Sequence, residues 1–203
     1  MTPRIRRLPH GEWPADMGDA LAAMVPPVQR HPRPPTEDRP RGKDVVGTLA
    51  HHPELARAFF TFNGHLLWAT SLTPRQREII VMRIAVRRQA GYVWAMHLFE
   101  ARDSGLTEEE IGRIAFGPDA PFWTPLDQAI IRAVDELVDD GGIAEATWAV
   151  LADEMDEQQL LDLIFTVGAY EITSWLANSV GYEADPGVPE MYERYRPPPD
   201  EAP

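Results

Sequence analysis

Two side chains that can carry a proton, Glu78 and His97, lie in neighbouring segments of this sequence, and no thiol lies between them. Carboxylates and imidazoles are the groups that most often serve as general acids and bases. The whole chain lacks cysteine, which excludes thiol catalysis, disulfide bonds and cysteine-ligated metals. The pair therefore indicates acid–base chemistry.

Glu78 stands in an apolar run on a helix that we predict over 74–90. It shares a face with Val81, Met82 and Ala85 at helical spacing. This helix is apolar nearly all round, which predicts burial, and an unpaired buried carboxylate costs several kcal/mol. Three interpretations stay open: an ion pair with a nearby arginine, a place in the first helical turn, or a proton-transfer group with a raised pKa.

His97 lies in the next predicted helix, 92–104. The connection near Gly91 is short, so the two helices form a hairpin in which the carboxylate and the imidazole can converge. A histidine among aromatic residues is also commonly a core or surface residue, and that interpretation stays open. Glu171, beside Tyr170 on the last predicted helix, either lines the same cavity or binds a structural partner.

Helix-start and helix-stop residues divide the rest of the chain. Thr73-Pro74 and Thr124-Pro125 are N-cap signals, and Gly181 is a stop signal. No segment alternates with period two, so we predict an all-α fold. The expected helices cover 44–50, 53–69, 74–90, 92–104, 108–115, 125–139, 144–154 and 157–180, with a short one near Asp19–Met24.

Proline content divides the 203-residue chain into three parts. Nine of the twenty prolines fall in residues 1–40 and six in 186–203, where they disfavour regular structure. We expect a proline-rich N-terminal arm at 1–42, one helical domain at 43–182, and a proline-rich C-terminal tail at 183–203. The arm either wraps its own domain, wraps a neighbouring subunit, or is disordered.

The formal net charge of −13 argues against nucleic acid as a partner, because phosphate binding needs clustered cations. No apolar run approaches about 18 residues, so we expect no membrane span. The first thirty residues lack the apolar core of a signal peptide, and the cytoplasm is the expected location. No histidine or carboxylate spacing indicates a metal site.

Three segments together resemble the carboxymuconolactone decarboxylase and alkylhydroperoxidase D (AhpD)-like superfamily. They are LTPRQREII at 72–80, GYVWAMH at 91–97 and SGLTEEEI at 104–111. The resemblance is strongest over 44–115 and continues loosely to about 182. It implies an AhpD-like helical bundle built around a long helical hairpin, and a homo-oligomer, either a trimer or hexamer or a dimer.

In the peroxidase branch of that superfamily, a Glu, a Cys-x-x-Cys pair and a His form a proton relay that feeds a thiolate. Glu78 and His97 match the Glu and the His, whereas Ala90 and Val93 occupy the two cysteine positions. Neither aliphatic side chain can attack a peroxide. The chain therefore resembles the thiol-free branch, whose decarboxylases work by acid–base chemistry without a metal.

The resulting hypothesis is a cofactor-independent acid–base enzyme, a decarboxylase or else an isomerase or dehydratase, acting on a small lactone or organic acid. In it, His97 transfers a proton at a carbon beside a carbonyl and Glu78 orients the imidazole. The expected substrate-binding residues are Tyr92, Trp94, Tyr170 and Glu171. The alternative is a non-catalytic protein that binds a small ligand. Peroxidase activity through a partner's thiol is a third interpretation.

Overall fold

The computed structural model describes residues 3–32 and 42–183, and every regular element in those two ranges is helical. The predicted all-α class is confirmed. Most of the predicted C-terminal tail lies outside the described residues. The helices are α1 Met17–Ala22, α2 Lys43–Leu49, α3 Pro53–Gly64, α4 Pro74–Arg87, α5 Gly91–Asp103, α6 Glu108–Ile114, α7 Pro125–Asp139, α8 Glu145–Glu154 and α9 Glu157–Val180.

Helix α4 is the centre of the fold. Thr73 and Gln76 form a reciprocal capping box at its start, and Pro74 occupies the first turn, where its missing N–H leaves no bond unmade. Every residue from Gln76 to Ala85 is buried. Helices α5, α7 and α9 pack around it, so any polar group on α4 must find its partner inside the protein.

Two predicted helices end earlier in the structure than their patterns suggested. Helix α4 ends at Arg87 rather than at 90, because Gln89 adopts a left-handed conformation with φ of 50°. Helix α3 ends at Gly64 and continues as a π-helical turn, His65–Ala69, rather than as one α-helix over 53–69. Both departures lie beside the candidate site.

The described part of the N-terminal arm packs on its own chain. The Leu8 N–H donates to the Gly47 carbonyl (2.9 Å), and the Arg4 N–H donates to the Val180 carbonyl at the end of α9 (2.7 Å). Two glycines allow this close approach. A Cβ on Gly47 would lie 2.8 Å from the Leu8 carbonyl oxygen, and one on Gly64 would overlap the Met24 carbonyl.

Helix α9 is long and apolar enough to cross a membrane by length and composition. Half of its most apolar window is buried inside the protein, as in the core helix of a soluble protein. Its opposite side exposes four large apolar side chains to solvent, each to about half of its surface. We call this side the α9 face; it comprises Leu161, Phe165, Ile172 and Trp175, with Gly168 between them.

Candidate active site

The helical hairpin of α4 and α5 brings Glu78 and His97 together. Glu78 is fully buried, and its Oε2 accepts a hydrogen bond from His97 Nδ1 at 3.0 Å. Its other oxygen accepts from Arg77 Nε at 2.8 Å. Arg77 in turn donates through Nη1 to the Leu67 carbonyl at 2.6 Å, in the π-helical turn. The carboxylate is thus paired on both oxygens, which removes the penalty of an isolated buried charge.

These contacts set the charges of the pair. Burial opposes ionisation of Glu78, but His97 and Arg77 outweigh it and hold the pKa of this carboxyl below its ordinary value. Burial also opposes the charge on His97, but Glu78 outweighs it and raises the pKa of the imidazole. The raised pKa considered for Glu78 from its sequence context is therefore wrong, because two cations face the carboxylate.

Tyr170 of α9 meets the free side of His97. Its hydroxyl lies 3.0 Å from His97 Nε2, and the two rings meet edge to face at 5.0 Å. Burial and the neighbouring Glu78 raise the pKa of Tyr170, which keeps the phenol neutral. When His97 is an imidazolium, both of its N–H groups donate, one to Glu78 and one to the phenol oxygen. The hydroxyl hydrogen of Tyr170 is then available to another acceptor.

This hydrogen-bonded series ends at a cavity of about 840 Å³. His97 and Tyr170 form part of its wall, together with Glu100 one turn further along α5. Most of the remaining wall is apolar or aromatic. The arm and α1 supply Leu8, Trp13, Leu21 and Met24, and the helices supply Val45, Val46, Phe59, Phe60, Leu67, Tyr92, Val93 and Met96.

The structure brings together some of the residues singled out from the sequence and not others. Glu78, His97 and Tyr170 form one series, and Tyr92 lines the cavity. Trp94 is fully buried in the core instead, outside the cavity wall.

Glu171 also lies outside that wall. Its two oxygens accept from Arg88 Nε at 2.8 and 2.7 Å. Asn178 donates to the backbone carbonyl of Arg88 and fixes that arginine further. Glu171 therefore corresponds to the second interpretation made from the sequence, a carboxylate bound to a structural partner.

The ion pair with a nearby arginine, one of the three interpretations of Glu78 made from the sequence, is formed by Arg77. Two other features of the site were missed in the sequence. Glu100 follows His97 at helical spacing, a signal that was available. The contribution of the arm to the wall carries no local sequence pattern, because it depends on how distant segments pack.

Comparison with known proteins agrees with this architecture. Residues 53–136, from α3 into α7, match the model of the carboxymuconolactone decarboxylase family. An AhpD core from Ralstonia eutropha, described as an uncharacterized peroxidase-related protein, has the same fold. It matches with a TM-score of 0.62 and 21% identity, over 86% of this chain and 100% of that one. The segment that matches the family model contains both Glu78 and His97, so the similarity to this family includes the whole α4–α5 hairpin.

Two further proteins are similar to this chain. A protein of unknown function from Agrobacterium tumefaciens matches with a TM-score of 0.62 and 18% identity, over 68% of this chain and 94% of that one. The uncharacterized protein YdfG of Bacillus subtilis is 23% identical over 108 residues, which are 52% of this chain and 72% of the relative. At these identities the solved structures establish the fold and leave the chemistry to the site itself.

Proposed function

We propose that this protein is an acid–base enzyme that decarboxylates an organic acid carrying a nearby carbonyl group, with isomerisation or dehydration as the related reactions. One observation carries the proposal. The series Glu78, His97, Tyr170 connects a buried carboxylate to a cavity through hydrogen bonds of 3.0 Å at each step. Acid–base groups held in this way typically contribute about 10²–10⁴-fold each.

The geometry supports a distinct role for each member. Glu78 fixes the orientation of the imidazole and stabilises its charged form. His97 holds the transferable proton. Tyr170 presents its hydroxyl hydrogen toward the cavity, where it can stabilise the oxyanion of an enolate. Because Tyr170 occupies Nε2, the proton reaches the substrate through the phenol. In the hypothesis made from the sequence, the imidazole transferred it directly.

The reaction balances without an oxidant. The bond between the carboxylate carbon and its neighbour breaks, and CO2 leaves. The electron pair of that bond passes into the adjacent carbonyl and forms an enolate, whose carbon then accepts a proton. Tyr170 supplies that proton and recovers one from His97, which is reprotonated from solvent. Glu78 stays ionised throughout.

The direct test measures CO2 release from carboxymuconolactone and from simple β-keto acids. We expect His97→Ala to lower the rate by about 10²–10⁴-fold. His52→Ala is the matched control, because this exposed histidine caps α3 and does not line the cavity. Equal rates for wild type and His97→Ala would refute the role of the series, and no release by wild type would refute decarboxylation.

A second function has an observation in its favour. Both nitrogens of His97 are engaged, by Glu78 and by Tyr170, so the imidazole offers no free atom to a substrate. A binding protein that has lost its redox centre would also look like this. In that case apolar ligands raise the melting temperature of wild type and of His97→Ala equally, and no candidate acid is turned over.

We also propose that the protein forms a homo-oligomer through the α9 face. Large aromatic side chains can bury about 150–250 Å² each, so four half-exposed apolar residues offer on the order of 400 Å², about half of what a standard interface buries per partner. Gly168 leaves open space at the centre of the stripe. Leu161 and Trp175 lie seven residues to either side of it, so two copies can cross there symmetrically.

Light scattering tests the association. We expect wild type to be a dimer or larger and Trp175→Glu to be a monomer with an unchanged helical spectrum. Trp148→Glu is the matched control, since Trp148 is 38% exposed on α8, outside the α9 face. A monomeric wild type would refute the proposal, and so would a Trp175→Glu variant that stays associated.

A further inference from the structure

Glu100 is a charged side chain in the cavity wall that the proposed reaction does not use. It lies on α5 one turn after His97, so both side chains project from the same side of that helix. Its Oε2 is buried and accepts no hydrogen bond from any described residue. A carboxylate oxygen removed from water without a donor is destabilising by a few kcal/mol.

Two neighbouring groups interact with the charge of Glu100, but their hydrogen bonds go elsewhere. Arg77 directs Nε to Glu78 and Nη1 to the Leu67 carbonyl, and the two nitrogens of His97 meet Glu78 and Tyr170. Buried polar atoms in folded proteins have partners in the great majority of cases, and the exceptions point to an ordered water, a bound ion or a functional role. Glu100 belongs to the wall of a cavity large enough to hold a ligand, so a donor group on such a ligand could approach its carboxylate.

The size and lining of the cavity constrain that ligand. One water molecule occupies about 30 Å³ in the liquid. At that volume for each heavy atom, a lactone acid of about a dozen heavy atoms fills less than half of the cavity. The wall contributed by the arm, α1, α2 and α3 is mostly apolar. A ligand that fills the space therefore has a substantial apolar body and few polar groups.

We propose that Glu100 anchors a hydrogen-bond donor, an ammonium or hydroxyl group, at one end of a largely apolar ligand. The ligand is correspondingly larger than a simple lactone acid. Its apolar body occupies the part of the cavity between the arm and α3, and its donor lies beside His97 and Tyr170. The inference concerns binding and holds whether or not a reaction follows.

Three ligands with the same decyl chain separate the possible head groups: decylamine, decanol and decanoate. Calorimetric titration of the wild-type protein, below the micelle-forming concentration of each ligand, is expected to rank them in that order of affinity. A hydrogen bond to a charged group corresponds to about a 10- to 100-fold difference between decylamine and decanoate. The assay measures no turnover, so its outcome is independent of the decarboxylase proposal.

Substitution at Glu100 identifies the anchor. Glu100→Gln removes the charge at constant shape and is expected to erase the preference for decylamine over decanoate. Glu100→Asp keeps the charge but shortens the side chain, and an intermediate preference is expected. Glu109→Gln is the matched control, an exposed glutamate outside the cavity wall. Circular dichroism melting shows that each variant is folded.

Three outcomes overturn the proposal. The first is that decanoate binds more tightly than decylamine and that this preference is lost in Lys43→Gln. That result would place an anionic head group at the Lys43 side of the cavity. The second is an unchanged decylamine preference in Glu100→Gln. The third is no binding of any of the three ligands.

Discussion

Two charged clusters lie along the same helix, α4, and they differ in what surrounds them. The Glu78 cluster consists of Arg77, Glu78, His97 and Tyr170. The Arg83 cluster consists of Arg83, Arg87, Asp135 and Asp139. In the second, Arg83 donates to both oxygens of Asp135, at 2.7 and 2.8 Å, and to the Ile114 carbonyl at 2.7 Å.

The Arg83 cluster is closed. Guanidinium groups stay charged at every accessible pH, all three nitrogens of Arg83 have acceptors, and no member lies in the cavity wall. The Glu78 cluster contains an imidazole that can change its charge, and it ends at the cavity. Each cluster contains a buried charged residue, Arg83 in one and Glu78 in the other. What separates a candidate site from a structural network is a titratable group that meets open space.

The largest effect on stability is expected in the closed cluster. Asp135→Ala leaves the charges of Arg83 and Arg87 without this acceptor. Breaking a mostly buried ion pair of this kind lowers the free energy of unfolding by about 3 kcal/mol or more. Urea denaturation measures the loss. Asp139→Ala is the control, because its carboxylate is 55% exposed and its loss should be far smaller. Similar losses in the two variants would show that the burial of Asp135 is unimportant.

A smaller loss is expected from Glu78→Gln in the open cluster. The amide keeps the shape and one acceptor but removes the charge that Arg77 and His97 share, at a cost of about 1–3 kcal/mol. The same substitution should lower the pKa of His97, which an NMR titration of the ring protons measures directly. An unchanged pKa of His97 would contradict the pairing of the two residues.

Tyr170→Phe should change stability less again, by about 1 kcal/mol, because one neutral hydrogen bond to His97 is lost and the ring is kept. Turnover, by contrast, should fall with the loss of the phenol hydrogen. Tyr182→Phe is the matched control, since its hydroxyl donates to the Asp44 carbonyl and lies outside the cavity wall. Equal turnover in the two variants would remove Tyr170 from the mechanism.

The smallest change in folding stability is expected when pH alone is varied. The contribution of Glu78, whose folded pKa is lowered, is present above its ordinary value of 4.5 and is lost as pH falls through the lower value. The contribution of His97, whose folded pKa is raised, is complete below 6.5 and is lost as pH rises through the higher value.

The stability difference between wild type and Glu78→Gln should therefore be greatest at mildly acidic pH and decline on both sides. The corresponding difference for Asp135→Ala should not decline on the alkaline side, because arginine keeps its charge. Denaturation series across pH measure both differences. A flat profile for Glu78→Gln would mean that His97 does not titrate with the fold.

The comparison also explains how far the sequence could predict this molecule. Capping residues such as Thr73 and Thr124 locate helix starts, and both helices begin where expected. The helical hairpin was also predicted from the sequence, and so was the approach of His97 to Glu78. These features depend on residues close in sequence, where propensity and spacing carry the information.

Features that depend on distant segments could not be predicted. Nothing near Arg83 in the chain identifies Asp135 as its acceptor, and nothing near Glu171 selects Arg88 among several arginines. No local sequence pattern indicates the break in α3 at the π-helical turn, although this break frees the Leu67 carbonyl for Arg77. Such contacts are decided by packing rather than by local preference.

The seating of the N-terminal arm determines when the site can exist during folding. Arg4 bonds to the carbonyls of Val180 and Ser179, at the far end of the described chain. The arm precedes α9 in the chain, so this contact can form only after α9 has been synthesised. Contacts of such long sequence separation form late, since the intervening chain must be ordered first. The cavity wall combines Leu8 of the arm with Tyr170 of α9, so a chain that ends before α9 carries no finished site.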